Sequence, residues 1–275
     1  MVPLGGLVLD TSAWGFGGFS ALHLDAGGLT SAVSDRGRWW QARLLRDAAG
    51  RPTGFAPARH GPLRDATGAP LRGRLGDAEA LARLADGSWL IGFERAHRLQ
   101  RHATLDAPGA PFPAPPGLDE APPNAGVEGV TQLADGRLLL LTEGLPGPEP
   151  GSRAAWIGAL EGARVAWTRR AYLPDGGLEP TDVAALPDGG ALVLERDYTL
   201  LGGFRARLGR IAPAALRGAQ PIRATTLLEL PGDGPSENWE GVAVQPTPEG
   251  LLVALVSDDN ERPAQRTLFL LYRLG

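Results

Sequence analysis

The residues best suited to chemistry in this sequence are carboxylates at a repeating phase. Glu79, Glu128, Asp182 and Glu240 each open a short apolar run that leads into a turn, and a second apolar run returns to another acid. The closing acids are Glu94, Glu143, Glu195 and Asp258, and Asp35 closes a weaker copy that opens at Ser20. A strand running out and a strand running back bring their opening and closing residues to the same end. The opening acids are therefore expected to converge, with the closing acids in a wider ring around them. Carboxylates crowded in this way raise one another's pKa unless a cation sits among them. Oxygen ligands without thiolates favour Ca²⁺, with Mg²⁺ as the alternative, and Ca²⁺ better suits a roomy, irregular site. Asn124, Asn238 and Asp258 join Glu79, Glu128, Asp182 and Glu240 as candidate metal ligands, and those four opening acids are also the candidate catalytic residues. The competing reading is structural, with the acids accepting hydrogen bonds from backbone amides and pairing with arginines.

Arginine directly follows a closing acid three times, as Arg36, Arg95 and Arg196. Its planar fork fits phosphate or carboxylate, so these are the candidate substrate-binding residues; a local ion pair with the preceding acid is the alternative for each. All 27 basic residues are arginine, and lysine is absent, which excludes a Schiff base or a phosphate-loop lysine. Cysteine is absent too, so thiol catalysis, thiolate zinc sites and disulfides are excluded. No G-x-S-x-G motif marks a serine esterase. The four histidines, His23, His60, His97 and His102, lack triad order or metal spacing and read as surface or packing residues. Trp39-Trp40 reads as packing rather than as a sugar-stacking platform. A net charge of −4 with no basic stripe points away from nucleic acid. No apolar run is long enough for a transmembrane helix. The N-terminus lacks a signal-peptide pattern, so the chain is expected to be cytoplasmic or a mature form whose signal was removed.

The elements that would position these acids form an internal repeat. The acid–strand–turn–strand–acid unit recurs about every 50–60 residues over five copies, which is the period of a propeller blade of four strands. Asp86-Gly87, Asp135-Gly136 and Asp188-Gly189 fit tight hairpin turns. The apolar runs are continuous rather than alternating, as expected for inner strands buried on both faces. Residues 1–275 are thus expected to form a single all-β domain, a β-propeller of five or six blades. Its terminal strands, Leu7–Asp10 and Thr267–Arg273, would share one blade. The proline-rich stretch Ala107–Pro123 reads as a loop lying over one face.

Several segments in this order resemble one family. They include Phe19-Ser20-Ala21-Leu22, Ser34-Asp35-Arg36-Gly37, Gly92-Phe93-Glu94-Arg95 and Asn124-Ala125-Gly126-Val127-Glu128-Gly129. Further along come Pro180-Thr181-Asp182, Glu195-Arg196-Asp197-Tyr198, Asn238-Trp239-Glu240-Gly241 and Ser257-Asp258-Asp259-Asn260. Together they are similar to the "esterase-like activity of phytase" family, from about Gly17 to Leu274. The resemblance implies a propeller with an acid-rich face, a bacterial and often exported protein (periplasmic or secreted), and hydrolysis of a carboxylic or phosphate ester. No local motif matches the catalytic residues of propeller phytases themselves. The leading expectation is a divalent-metal-dependent hydrolase of a small-molecule phosphate ester. A lactonase-like propeller acting on a carboxylic ester is one alternative. A non-enzymatic binding or scaffold propeller with a structural Ca²⁺ is the other.

Overall fold

The computed structural model describes residues 1–15, 17–200, 202–230, 237–260 and 265–275. Strand β1 (Val2–Val8) opens the chain and is used last, at ring closure. Blade 1 contains β2 (Phe19–Leu24), β3 (Leu29–Ser34), β4 (Arg38–Arg46) and β5 (Pro52–Phe55), with β6 (Arg59–Pro62) also pairing with β4. Blade 2 contains β7 (Ala78–Arg83), β8 (Trp89–Phe93), β9 (Arg98–His102) and β10 (Gly109–Phe112). Blade 3 contains β11 (Val127–Gln132), β12 (Leu138–Pro146), β13 (Arg153–Glu161) and β14 (Arg164–Tyr172). Blade 4 contains β15 (Glu179–Ala185), β16 (Ala191–Thr199), β17 (Gly203–Ile211) and β18 (Ala224–Leu230). Blade 5 contains β19 (Asn238–Thr247), β20 (Gly250–Asp258) and β21 (Leu268–Leu274), and β1 completes it by pairing antiparallel with β21. The two ends of the chain therefore share a blade, and the ring closes at five blades rather than six.

Each blade's innermost strand touches those of its two neighbours, in the cycle β2, β7, β11, β15, β19 and back to β2. The core is correspondingly divided into five apolar wedges, one at each blade interface. Leu138, Leu139, Leu140 and Leu141 are all fully buried. Alternate members of this run face opposite neighbours: Leu138 and Leu140 pack toward blade 2, and Leu139 and Leu141 toward blade 4. This is why the second strand of each hairpin is apolar without alternation. The hairpin turns are closed by their aspartates, which accept from the backbone two residues on, as in Ser88 N to Asp86 Oδ1 at 2.9 Å and Gly190 N to Asp188 Oδ1 at 2.9 Å. The glycine that follows each aspartate has positive φ, 84° at Gly87 and 88° at Gly189.

The tryptophan pair Trp39-Trp40 is buried in the wedges on either side of blade 1. The proline-rich stretch Ala107–Pro123 is irregular for most of its length, as expected of a loop, but part of it joins a sheet. Gly109–Phe112 forms the outermost strand of blade 2, with Pro111 opposite Gln100. An edge strand has one unpaired side, so the missing proline N–H costs little there. None of the described helices is long and apolar enough to cross a membrane.

Candidate functional site

Every innermost strand carries a register irregularity at the same place. It falls between Phe19 and Ala21, Ala78 and Ala80, Val127 and Gly129, Pro180 and Asp182, and Trp239 and Gly241. A bulge of this kind leaves one residue out of the ladder and re-aims its side chain. The five bulged residues are Ser20, Glu79, Glu128, Thr181 and Glu240. The structurally equivalent residues at the ends of the second strands are Asp35, Glu94, Glu143, Arg196 and Asp258, each one step beyond the last matched pair or at the strand end. The sequence-predicted pairs thus come together in four blades. Blade 4 is displaced by one residue. Thr181 takes the inner position expected for Asp182, and Arg196 takes the outer position expected for Glu195.

One open pocket of about 330 Å³ collects these side chains. Glu79, Glu128 and Glu240 line it from the inner ring, and Asp35, Glu94, Glu143, Asp258 and Arg196 from the outer ring. Asn124, Asn238 and Arg95 also reach it, whereas Asp182 and Arg36 are not among its lining residues. Oxygens of Asp77, Glu79 and Glu94 all lie within 4.8 Å of one another, as do those of Glu94, Glu128 and Glu143, so Glu94 belongs to both sets. Glu94 is oriented by Gly126 N, which donates to its Oε1 at 2.9 Å. Asn238 donates through Nδ2 to Glu240 Oε1 at 2.6 Å, and its buried Oδ1 has no partner among the described residues. A buried neutral carbonyl beside a carboxylate cluster is the kind of oxygen that completes a hard-cation shell.

Seven carboxylates line the pocket against two arginines, so ionising all of them would leave it strongly negative. Burial pushes Glu128 well above the usual carboxylate range, and Glu143 and Glu79 push it further. Glu79 is raised in the same way, by burial and then by Asp77 and Glu240. Burial also raises Glu240, against the pull of Arg196. Asp258 is raised to about 7 by burial and by Glu240. Burial works against the charge on Arg196, but Glu240, Glu143 and Glu128 outweigh it and hold the guanidinium protonated. Arg196 lies 3.0 Å from Glu240 and 3.7 Å from Glu143. Arg95 reaches Asp77 at 2.7 Å and Asn124 Oδ1 at 3.2 Å. Its backbone has φ of 52°, an uncommon conformation for a residue with a side chain, and it sits at the rim of this pocket. Arg36 is 3.5 Å from Asp35 and half exposed.

Asp182 and Glu195 are as buried as the pocket acids, yet their oxygens are occupied. Asp182 Oδ1 accepts from Val183 N and Oδ2 from Val242 N, each at 2.8 Å, and Leu22 N also donates to the carboxylate. The matching positions in the other blades are Ala21, Ala80, Gly129 and Gly241, which leave room for this one side chain. Asp182 therefore ties blade 4 to blades 5 and 1 beneath the pocket. Glu195 accepts from the Tyr172 hydroxyl at 2.5 Å and pairs with Arg207, deep between strands. Spacing carried a signal for this displacement. Ser20 to Asp35, Glu79 to Glu94 and Glu128 to Glu143 each span fifteen residues, as do Thr181 to Arg196, whereas Asp182 to Glu195 span thirteen. Asp77 was not among the sequence candidates; it lies two residues before Glu79 and has no counterpart acid at that phase in blades 1, 3 and 5.

A family model described as "Phytase-like: Esterase-like activity of phytase" matches residues 14–261. No curated protein matches the sequence at a significant level. An α-L-arabinofuranosidase from Podospora anserina, solved with cellotriose, is similar over 99% of this chain and 95% of its own, with a TM-score of 0.55 and 13% identity. A luciferin-regenerating enzyme is similar over 98% and 96%, with a TM-score of 0.50 and 11% identity. Virginiamycin B lyase from Staphylococcus aureus gives a TM-score of 0.43 at 14% identity over 93% of this chain, which spans 66% of the lyase. At these identities the likeness to the arabinofuranosidase and the luciferin-regenerating enzyme is one of fold.

Proposed function

This chain belongs to the phytase-like (esterase-like activity of phytase) family, and from that premise we propose that its acid-lined pocket is the active site of a divalent-cation-dependent ester hydrolase, acting on a small phosphate ester. The observation that carries the reading is the pair of carboxylate triads sharing Glu94, at a pocket whose seven lining acids two arginines cannot balance once they ionise. With these acids ionised, an anionic ester would be repelled from the pocket unless a cation were bound. The residues fit one: Glu79, Glu94, Glu128 and Glu143 offer carboxylate oxygens, and Asn238 Oδ1 is a buried acceptor in need of a partner. When bound, Ca²⁺ or Mg²⁺ supplies Lewis acidity toward the ester oxygen and lowers the pKa of water.

The chain's own groups then divide the remaining work. Arg196 and Arg95 offer N–H donors to the anionic group of the ester. Glu240 and Glu143 fix the Arg196 guanidinium, and Asp77 fixes Arg95, so neither has to be ordered by substrate. Asp182 holds the floor of the pocket closed through backbone amides of three blades. Hydrolysis adds the water oxygen to phosphorus, breaks the bond to the ester oxygen, and passes a proton to the departing alcohol.

The openness of the pocket favours this reading over a scaffold role. Residues Ala107–Pro123, a stretch that could have covered the face, do not line the pocket, and Gly109–Phe112 within them forms the outermost strand of blade 2. The test is phosphate release from a panel of phosphomonoesters, with added Ca²⁺ and then with chelator, alongside a panel of lactones and carboxylic esters. Cation-dependent phosphate release lost in Glu128→Gln supports the reading. Turnover of the carboxylic esters alone would move the activity to the lactonase-like alternative. No turnover, with a Ca²⁺-raised melting temperature, would leave the cation a structural role.

A further inference from the structure

We propose that the hairpin of β16 and β17 carries a ring-binding subsite beside the pocket, so that the ester this site accepts bears a planar or flat-faced ring on its alcohol side; this rests on the active-site reading above. In blade 4 the second strand continues past its ring position at Arg196 through Asp197, Tyr198 and Thr199, while in blade 1 β3 ends at Ser34 and in blade 2 β8 ends at Phe93. The extension is paired residue for residue with β17: Arg196 opposite Ala206, Asp197 opposite Arg205, Tyr198 opposite Phe204, and Thr199 opposite Gly203. Alternation along a strand places Arg196 and Tyr198 on one face and Asp197 on the other. The far face is held by an ion pair between Arg205 and Asp197 at 2.7 Å. Gly202 N donating to Thr199 Oγ1 at 3.0 Å braces the turn.

The near face is aromatic. Tyr198 and Phe204 lie with ring centroids 4.8 Å apart, and the Arg196 guanidinium is 5.9 Å from the Phe204 ring. Tyr198 is 49% exposed although it is a large ring on a paired strand. Together with Arg196, Asn238 and Asn260 these two rings line a cavity of about 210 Å³. Arg196, Asn238 and Asn260 also line the acid pocket, so the two spaces adjoin across the same three residues. A ligand whose anion sits at Arg196 would place its next group against Tyr198. Two aromatic faces and, among the described residues, a single charged side chain there favour the face of a ring over a charged or extended chain.

The test is calorimetric binding in the presence of Ca²⁺, using phenylphosphonate and methylphosphonate, which lack the scissile ester bond. The ring should tighten binding about tenfold in the native protein. Tyr198→Ala should abolish that advantage and leave methylphosphonate binding unchanged, while Tyr198→Phe should retain it. Equal affinity for the two phosphonates, or a ring advantage that survives Tyr198→Ala, overturns the subsite. Phenol, titrated in parallel, reads the aromatic wall without an anion. If neither phosphonate binds but phenol binds in a Tyr198-dependent way, the anion site fails and the ring subsite stands. If no ring compound shows Tyr198-dependent binding, the subsite fails.

Discussion

Glu128 and Asp182 are both buried carboxylates near the same axis, one strand apart in the ring, and they do opposite things. Glu128 is the bulged residue of its strand and faces other acids across an open pocket. Asp182 stands one residue past the bulge of the next strand, and its oxygens are taken up by three backbone amides. The same contrast separates Arg196, which points into the pocket, from Glu195 beside it, which is consumed by Tyr172 and Arg207. A single register step decides whether an acid is available to a ligand or is part of the scaffold. The physical reason is that the bulge turns one side chain toward the axis opening and returns the next to the ladder.

That contrast can be broken most directly by activity. Glu128→Gln should lower cation-dependent turnover by about a hundredfold or more, the scale of losing a group that stabilises the transition state electrostatically. The same variant should keep or raise the melting temperature of the cation-free protein, because it removes a charge that burial and its neighbours already disfavour.

Asp182→Ala should behave in the reverse manner. It strands buried amide donors of blades 1, 4 and 5, a loss of about 3 kcal/mol. Thermal denaturation should show a drop of roughly 10 °C. Added Ca²⁺ should not restore it; restoration by Ca²⁺ would instead place Asp182 among the ligands.

Acid pH sharpens the comparison. Asp258 has a folded pKa of about 7, and Glu79 and Glu128 are raised well above their ordinary value, so the folded state holds protons that the unfolded state releases. Stability from these groups is therefore full below the unfolded carboxylate range and is lost as pH rises through the folded values. The melting temperature of the cation-free protein should rise between pH 8 and pH 5. Saturating Ca²⁺ should flatten that rise, since a bound cation favours the ionised carboxylates.

The smallest effect is expected at the arginines. Arg196→Gln should raise KM for an anionic ester about tenfold, the order of one charge-assisted contact. Arg36→Gln should stay within about twofold of the native enzyme, since Arg36 is half exposed beside Asp35 and does not line the pocket. Equal KM changes in the two variants would erase the distinction between them.

Much of this was legible in order of residues alone. Continuous apolar runs, Asp-Gly turns and a period of about 50–60 residues determine a propeller, because inner strands buried on both faces need no polar alternation. The recurrence of acids at hairpin ends determines that an acidic face exists, since strands that run out and back share an end. The choice between neighbouring positions is where that reading stopped. Asp182 and Glu195 carry the expected chemistry, but Thr181 and Arg196 carry the expected register; the fifteen-residue spacing hints at this, and backbone geometry around the bulge decides it. The extension that lifts Tyr198 beside the pocket is likewise tertiary: its sequence is an ordinary strand end, and its meaning comes from the neighbouring blade that leaves the space beside it. Local pattern determines which groups are brought to the face; closure of the ring decides which of them still have a free side when they arrive.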